Sequence, residues 1–135
     1  MSELARLLAE ELAPGVYPWE SDAAEEDVRA EVEEAGWTFV HLTTADVADK
    51  AAFLDRAAAA FGFPGWFGRN WDAFRDSLGD VRAETGTLVL WDGWDEFARA
   101  DEEAFAIGLE LVRERAEGGD GSPFAVLLRE SPGGR

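Results

Sequence analysis

The chain contains no cysteine and only one histidine, His41, among its 135 residues. Without cysteine there is no disulfide framework, no thiolate nucleophile and no cysteine zinc site, so nothing in the composition is adapted to an oxidising compartment. One histidine excludes multi-histidine metal centres and leaves a Ser-His-Asp triad with a single possible base. No apolar run approaches the roughly 20 residues that a membrane-spanning helix needs. The amino terminus, MSELARLLAEEL, also carries acids where a signal peptide wants a basic start. A cytoplasmic location is the resulting expectation. Basic residues are scarce: twelve Lys and Arg stand against 29 Asp and Glu, giving a formal charge of -17 and an isoelectric point near 4.2. Such a field repels phosphate backbones and anionic membranes, which disfavours direct binding of nucleic acid or lipid. There is no P-loop and no G-x-G-x-x-G.

What is present is material for a core. Hydrophobic residues make up 47% of the chain and include nine Phe and six Trp. A chain of this length buries roughly 65 to 70% of its unfolded surface, as one domain. The composition is that of a folded, very acidic domain and not of a disordered segment.

Leu4, Leu7, Leu8 and Leu12 recur at helical spacing until Pro14 and Gly15 stop the pattern. GVYPWE is extended at most. Residues 22–35 predict an acidic helix with Val28 and Val32 on one side, and Gly36 suits a left-handed cap. Residues 1–36 therefore look like an appendage to the rest of the chain. WTFVHL, 37–42, is an aromatic and β-branched run that suits a buried strand, with Thr43, Thr44 and Asp46 as capping or turn residues. Residues 46–61 predict a helix burying Phe53, Leu54, Ala57 and Phe61. Gly62, Pro64, Gly65 and Gly68 make a loop. Residues 70–78 predict a second helix with Trp71, Phe74 and Leu78 inward, ended by Gly79. TLVLW, 87–91, is another strand. A short helix and a longer one come next, the longer with Phe105, Leu109 and Val112 as its inner stripe. PFAVLL, 123–128, is the third strand, and residues 131–135 read as a frayed tail. Strands separated by helices imply crossovers, hence an α/β domain with a three-stranded, mostly parallel sheet.

Chemistry-bearing residues are few. Asp72 and Asp76 are four apart on the helix whose inner stripe is Trp71, Phe74 and Leu78, so both carboxylates project together from the side of that stripe. Like charges at this spacing cost a few tenths of a kcal/mol, which leaves either a solvated face or a pair that serves something outside the helix. Just before them, Trp66 and Phe67 sit in a glycine-flanked loop, as plugs folded onto the core or as contact residues. DGWDEF, 92–97, fails the calcium-loop pattern. A carboxylate hydrolase built on Asp72 and Asp76 would need one raised pKa, which exposure on a helix opposes. His41 lies in an apolar strand, where histidine is more often structural than catalytic. No metal or cofactor is expected, and the chain looks short of catalytic parts.

The run F-x-x-P-x-W-F-G-R-N-W-D-A-F-x-D-S-L from Phe61 to Leu78, followed by TLVLWDGWDEF and later by VRERAEGG before a last apolar strand, resembles the barstar family, inhibitors of the ribonuclease barnase. The resemblance covers roughly residues 37–130 and is strongest over GRNWDAFRDSL, whereas residues 1–36 have no counterpart in the short prototype. It implies a three-stranded parallel sheet packed with helices; separately, Leu4, Leu7, Leu8 and Leu12 need burial, so the amino-terminal helical extension is expected to pack on that core. The resemblance also implies a non-enzymatic function: an inhibitor that plugs the active site of a basic barnase-like ribonuclease with a loop and an acidic helix. The partner-binding residues implied are Trp66, Phe67, Gly68, Asn70, Asp72, Arg75 and Asp76, with Asp76 as the anchor and Glu114 as a further contact from the last helix. Arg75 stands where the family pattern has a contacting tryptophan, and Arg69 where the prototype has an acid. Each is three residues from Asp72 and could pair with it. Those two arginines and the extension keep open a module of the same shape that binds a partner other than a ribonuclease.

Overall fold

The computed structural model describes residues 2–64, 69–118 and 121–131. In chain order the elements are α1 (Glu3–Leu8), β1 (Val16–Pro18), α2 (Glu25–Glu34), β2 (Thr38–Thr43), α3 (Lys50–Phe61), α4 (Trp71–Gly79), β3 (Thr87–Asp92), α5 (Trp94–Ala100), α6 (Glu102–Glu117) and β4 (Phe124–Arg129). Among the described residues the sheet has four strands and not three, in the order β1-β4-β3-β2, and every neighbouring pair is parallel. The added strand is the stretch that the sequence marks as extended at most. The amides of Val126 and Trp19 donate to the carbonyls of Gly15 and Leu128, at 2.9 and 2.8 Å, so the outer edge of β4 finds backbone partners in β1. Pro18 is tolerated because β1 is itself an edge strand.

Side chains alternate through the sheet, and both faces are covered. Val40, Leu42, Val89, Trp91, Phe124 and Val126 face a core completed by Phe53, Leu54, Phe74, Leu78, Phe97 and Val112 from α3 to α6. Phe39, Leu88, Leu90, Ala125 and Leu127 face the other way, onto Leu4, Leu7, Trp19, Val28, Val32 and Trp37. Strands buried on both faces read as continuous apolar runs, which is why TLVLW and FAVLL show no alternation in sequence. The segment read as an appendage is therefore the cover of one whole face.

Three further details depart from the sequence pattern. Helix α3 begins at Lys50, four residues later than expected, because the Asp49 side chain accepts from the Ala52 amide at 2.9 Å and caps it there. The buried face of α6 is Ala104, Gly108, Val112 and Ala116, while Phe105 and Leu109 sit at its margin. Small residues let α6 lie close: a Cβ on Gly108 would stand 3.2 Å from the Phe53 ring. Ser131, placed in the frayed tail by the sequence, is buried; its amide donates to Asp95 at 2.8 Å and its hydroxyl to Glu96 at 2.5 Å. Residues 132–135 lie outside the described residues.

At the carboxyl ends of the strands, Asp92 of β3 and Arg129 of β4 form a two-pronged ion pair, Nε–Oδ1 at 2.6 Å and Nη2–Oδ2 at 3.0 Å. Arg129 also donates through Nη1 to the carbonyls of Ser21 and Ala23, at 3.2 and 2.7 Å, which fastens the segment entering α2. Asp92 completes the cluster by meeting His41 Nε2 at 2.8 Å, while Nδ1 of the same ring lies 3.4 Å from Glu25. Burial pushes the Asp92 carboxyl up, but the hydrogen bonds from His41 and Arg129 outweigh it and hold the pKa below the usual aspartate value. A carboxylate depressed on folding contributes stability above its unfolded pKa, about 3.9, and loses it as the pH falls through the lower folded value. Thermal melts between about pH 2.5 and 6 should therefore show an acid-side loss of stability that is smaller in Asp92→Asn, and parallel pH profiles would exclude Asp92 as its source.

Candidate functional site

Helix α4 is built to present one face. Asn70 is its N-cap, in extended conformation, with Oδ1 accepting from the Ala73 amide at 2.8 Å. Phe74 and Leu78 are completely buried, and Trp71 packs half-buried against Phe53 and Phe74, with ring centroids 6.0 and 6.1 Å apart. That stripe fixes the rotation of the helix. Asp72, Arg75 and Asp76, at i, i+3 and i+4, are left together on the exposed side.

The carboxyl end of the helix is held by Arg115 of α6. Its guanidinium donates to the carbonyls of Leu78 (3.0 Å), Val81 (2.8 Å) and Ser122 (3.1 Å), and stacks over the Phe124 ring at 4.8 Å. The Leu78 carbonyl also accepts from the Val81 amide at 3.1 Å, and the cation at this helix end suits the helix dipole. Burial, with Arg82 nearby, lowers the Arg115 pKa from the ordinary arginine value. Sequence reasoning assigned Arg115 no role, because its three acceptors come from two other segments of the chain.

The two arginines that interrupt the acidic pattern do not pair with Asp72. Arg69 grips Asp55 of α3 with Nε–Oδ1 at 2.8 Å and Nη2–Oδ2 at 3.0 Å. Arg75 reaches sideways to Glu114 of α6, Nε–Oε1 at 2.7 Å. Both pairs are about half exposed, where such contacts are worth at most about 1 kcal/mol. Their importance is in charge placement: each arginine is answered by an acid from a different helix. Among the described residues, Asp72 and Asp76 have no hydrogen-bond or ion-pair partner.

The structure thus brings together Asn70, Asp72, Arg75, Asp76 and Glu114, with Asn70 serving as cap. Trp66, Phe67 and Gly68, the loop half of the expected site, lie outside the described residues. His41 is held between two carboxylates, Asp92 and Glu25, and so belongs to the cluster that fastens α2. A cleft of about 890 Å³ beside that cluster is lined by Trp19, Asp92, Trp94 and Arg129. Arg129 within it is committed to Asp92 and two carbonyls. Among the described residues, no three His, Asp or Glu side chains converge as metal ligands. Nor is any helix there long and apolar enough to cross a membrane.

No curated protein matches the chain. Residues 37–129 match the family model described as Barstar (barnase inhibitor), which takes in α4, all of its buttresses from α3 and α6, and strands β2 to β4. The chain belongs to the barstar family.

Proposed function

We propose that the protein is an intracellular inhibitor that blocks the active site of a basic, barnase-like ribonuclease, so that the cell making both survives its own enzyme. The observation that carries this reading is the pair Asp72 and Asp76 on the exposed face of α4, without partners among the described residues, with Arg69 and Arg75 both paired elsewhere. An enzyme that cleaves RNA must hold phosphates with cationic side chains. Two helical carboxylates offered to such a pocket make charge-assisted hydrogen bonds in place of phosphate oxygens. The inhibitor needs no cofactor and turns nothing over; binding is reversible and stoichiometric. On this reading Trp66 and Phe67, outside the described residues, would add apolar contact to the partner, and the acidic field of the whole chain keeps nucleic acid itself away.

The direct test is titration of a basic ribonuclease with the protein while RNA cleavage is followed. Loss of activity that ends at one inhibitor per enzyme supports the reading, and undiminished cleavage at a large excess contradicts it. The charge of -17 adds a kinetic expectation. Stopped-flow association should slow markedly between low and physiological salt, while dissociation changes much less, because screening acts on approach more than on the closed contact. An association rate indifferent to salt would show that the field does not steer the encounter.

A further inference from the structure

The exposed face of α4 is not uniformly acidic. Arg75 flanks Asp72 and Asp76 on the side toward α6, three residues after one and adjacent to the other, and its side chain is 61% exposed. Glu114 takes its Nε, but Nη1 and Nη2 form no hydrogen bond among the described residues. The guanidinium is therefore braced from behind with two NH₂ groups uncommitted. A fork of this kind is matched by a carboxylate, in planar two-pronged geometry.

A cation at the flank of a face meant for a cationic pocket is costly unless the pocket also holds an anion opposite it. An RNA-cleaving site has one chemical reason to keep a carboxylate among its phosphate-binding cations. In-line attack by the 2′-hydroxyl needs a general base, and glutamate or aspartate is one of the side chains able to serve. Resting on the inhibitor reading above, we infer that Arg75 recognises the carboxylate general base of the partner ribonuclease. The surface then selects enzymes that use a carboxylate base over those that use imidazoles alone. Glu114 is a positioning residue in this arrangement, since it orients the fork without supplying the contact.

The test is a double-mutant cycle measured by calorimetry. The probe is a purified basic microbial ribonuclease whose catalytic base is a glutamate, used in its wild-type form and as its own base Glu→Gln variant. Full-length protein and Arg75→Ala are titrated against both, with Asp76→Ala as a control and thermal melts to confirm that each variant is folded. Arg75→Ala should weaken binding to the wild-type ribonuclease by about tenfold or more, and change binding to the Gln form by no more than about twofold, a coupling expected of a direct contact. Glu114→Gln should give a smaller loss, again only against the wild-type ribonuclease. Equal effects of Arg75→Ala on both forms, or tighter binding to both, would overturn the inference while leaving the inhibitor reading intact, provided that Asp76→Ala weakens both. If wild-type protein binds neither form, or Asp76→Ala binds as wild type does, the inhibitor reading itself fails and the role of Arg75 falls with it.

Discussion

Asp76→Ala should weaken binding to a basic ribonuclease by about 3 to 5 kcal/mol, the size of effect expected when one partner of a buried charge pair is removed and the other is left in place. The magnitude comes from the partner's side: cations desolvated in the closed contact would have lost the carboxylate that compensates them. In the free protein Asp76 is exposed and touches no partner among the described residues, so its removal should leave the melting temperature within a degree or two. That separation distinguishes a contact residue from a structural one. Calorimetry on the wild type and the variant decides it, and equal affinities would show that α4 is not the interface. Asp72→Ala should have the same direction with a smaller loss.

Removal of residues 1–36 is expected to have the largest effect on stability. It deletes Leu4, Leu7, Trp19, Val28 and Val32, each less than a tenth exposed, and it uncovers Phe39, Leu88, Leu90 and Leu127 on the sheet beneath. Each such side chain contributes roughly 1.5 to 3 kcal/mol on full burial. Five of them together rival the total stability of an ordinary domain, about 5 to 15 kcal/mol. The clamp between Arg129 and the carbonyls of Ser21 and Ala23 would be lost as well. A chain beginning at Trp37 should be recovered largely as aggregate, or melt far below the full protein, even though it contains all of the described residues of the candidate docking face. Comparable solubility and melting of the two chains would show that the uncovered sheet face tolerates water. Val32→Asp is a milder version that keeps the chain length, and it should lower the melting temperature by burying an unpaired charge.

Much of the fold was legible because its signals are local. The apolar runs of β2, β3 and β4, the stripe Trp71, Phe74 and Leu78, and Asn70 as the residue before a helix are written in spacing and residue type, and they suffice to place Asp72 and Asp76 on the outside. What was not legible depends on neighbours distant in sequence. Val16–Pro18 is three residues long and contains a proline; only the free edge of β4, about 110 residues away, makes it a strand. The partners of Arg69 and Arg75 lie on α3 and α6, so spacing alone pointed to Asp72 while the assembled helices offered Asp55 and Glu114. The same limit hid the inner face of α6. Hydrophobicity favoured Phe105 and Leu109, but closeness to Phe53 required glycine and alanine.

The pairing of β1 with β4 also sets an order of events for a chain emerging from the ribosome. Val16 has no strand to join until Val126 has been synthesised, because β4 is its sole neighbour in the sheet among the described residues. Contacts of such long sequence separation form late, since the chain between must first be ordered. Strands β2 and β3, with α3 and α4, can assemble while β4 is still being made; Leu4, Leu7 and Val28 meanwhile have only part of the surface that will cover them. The apolar residues of α1 and α2, made before the strands they cover, are thus among the last to be sheltered, and during that interval they are what a holding chaperone would find.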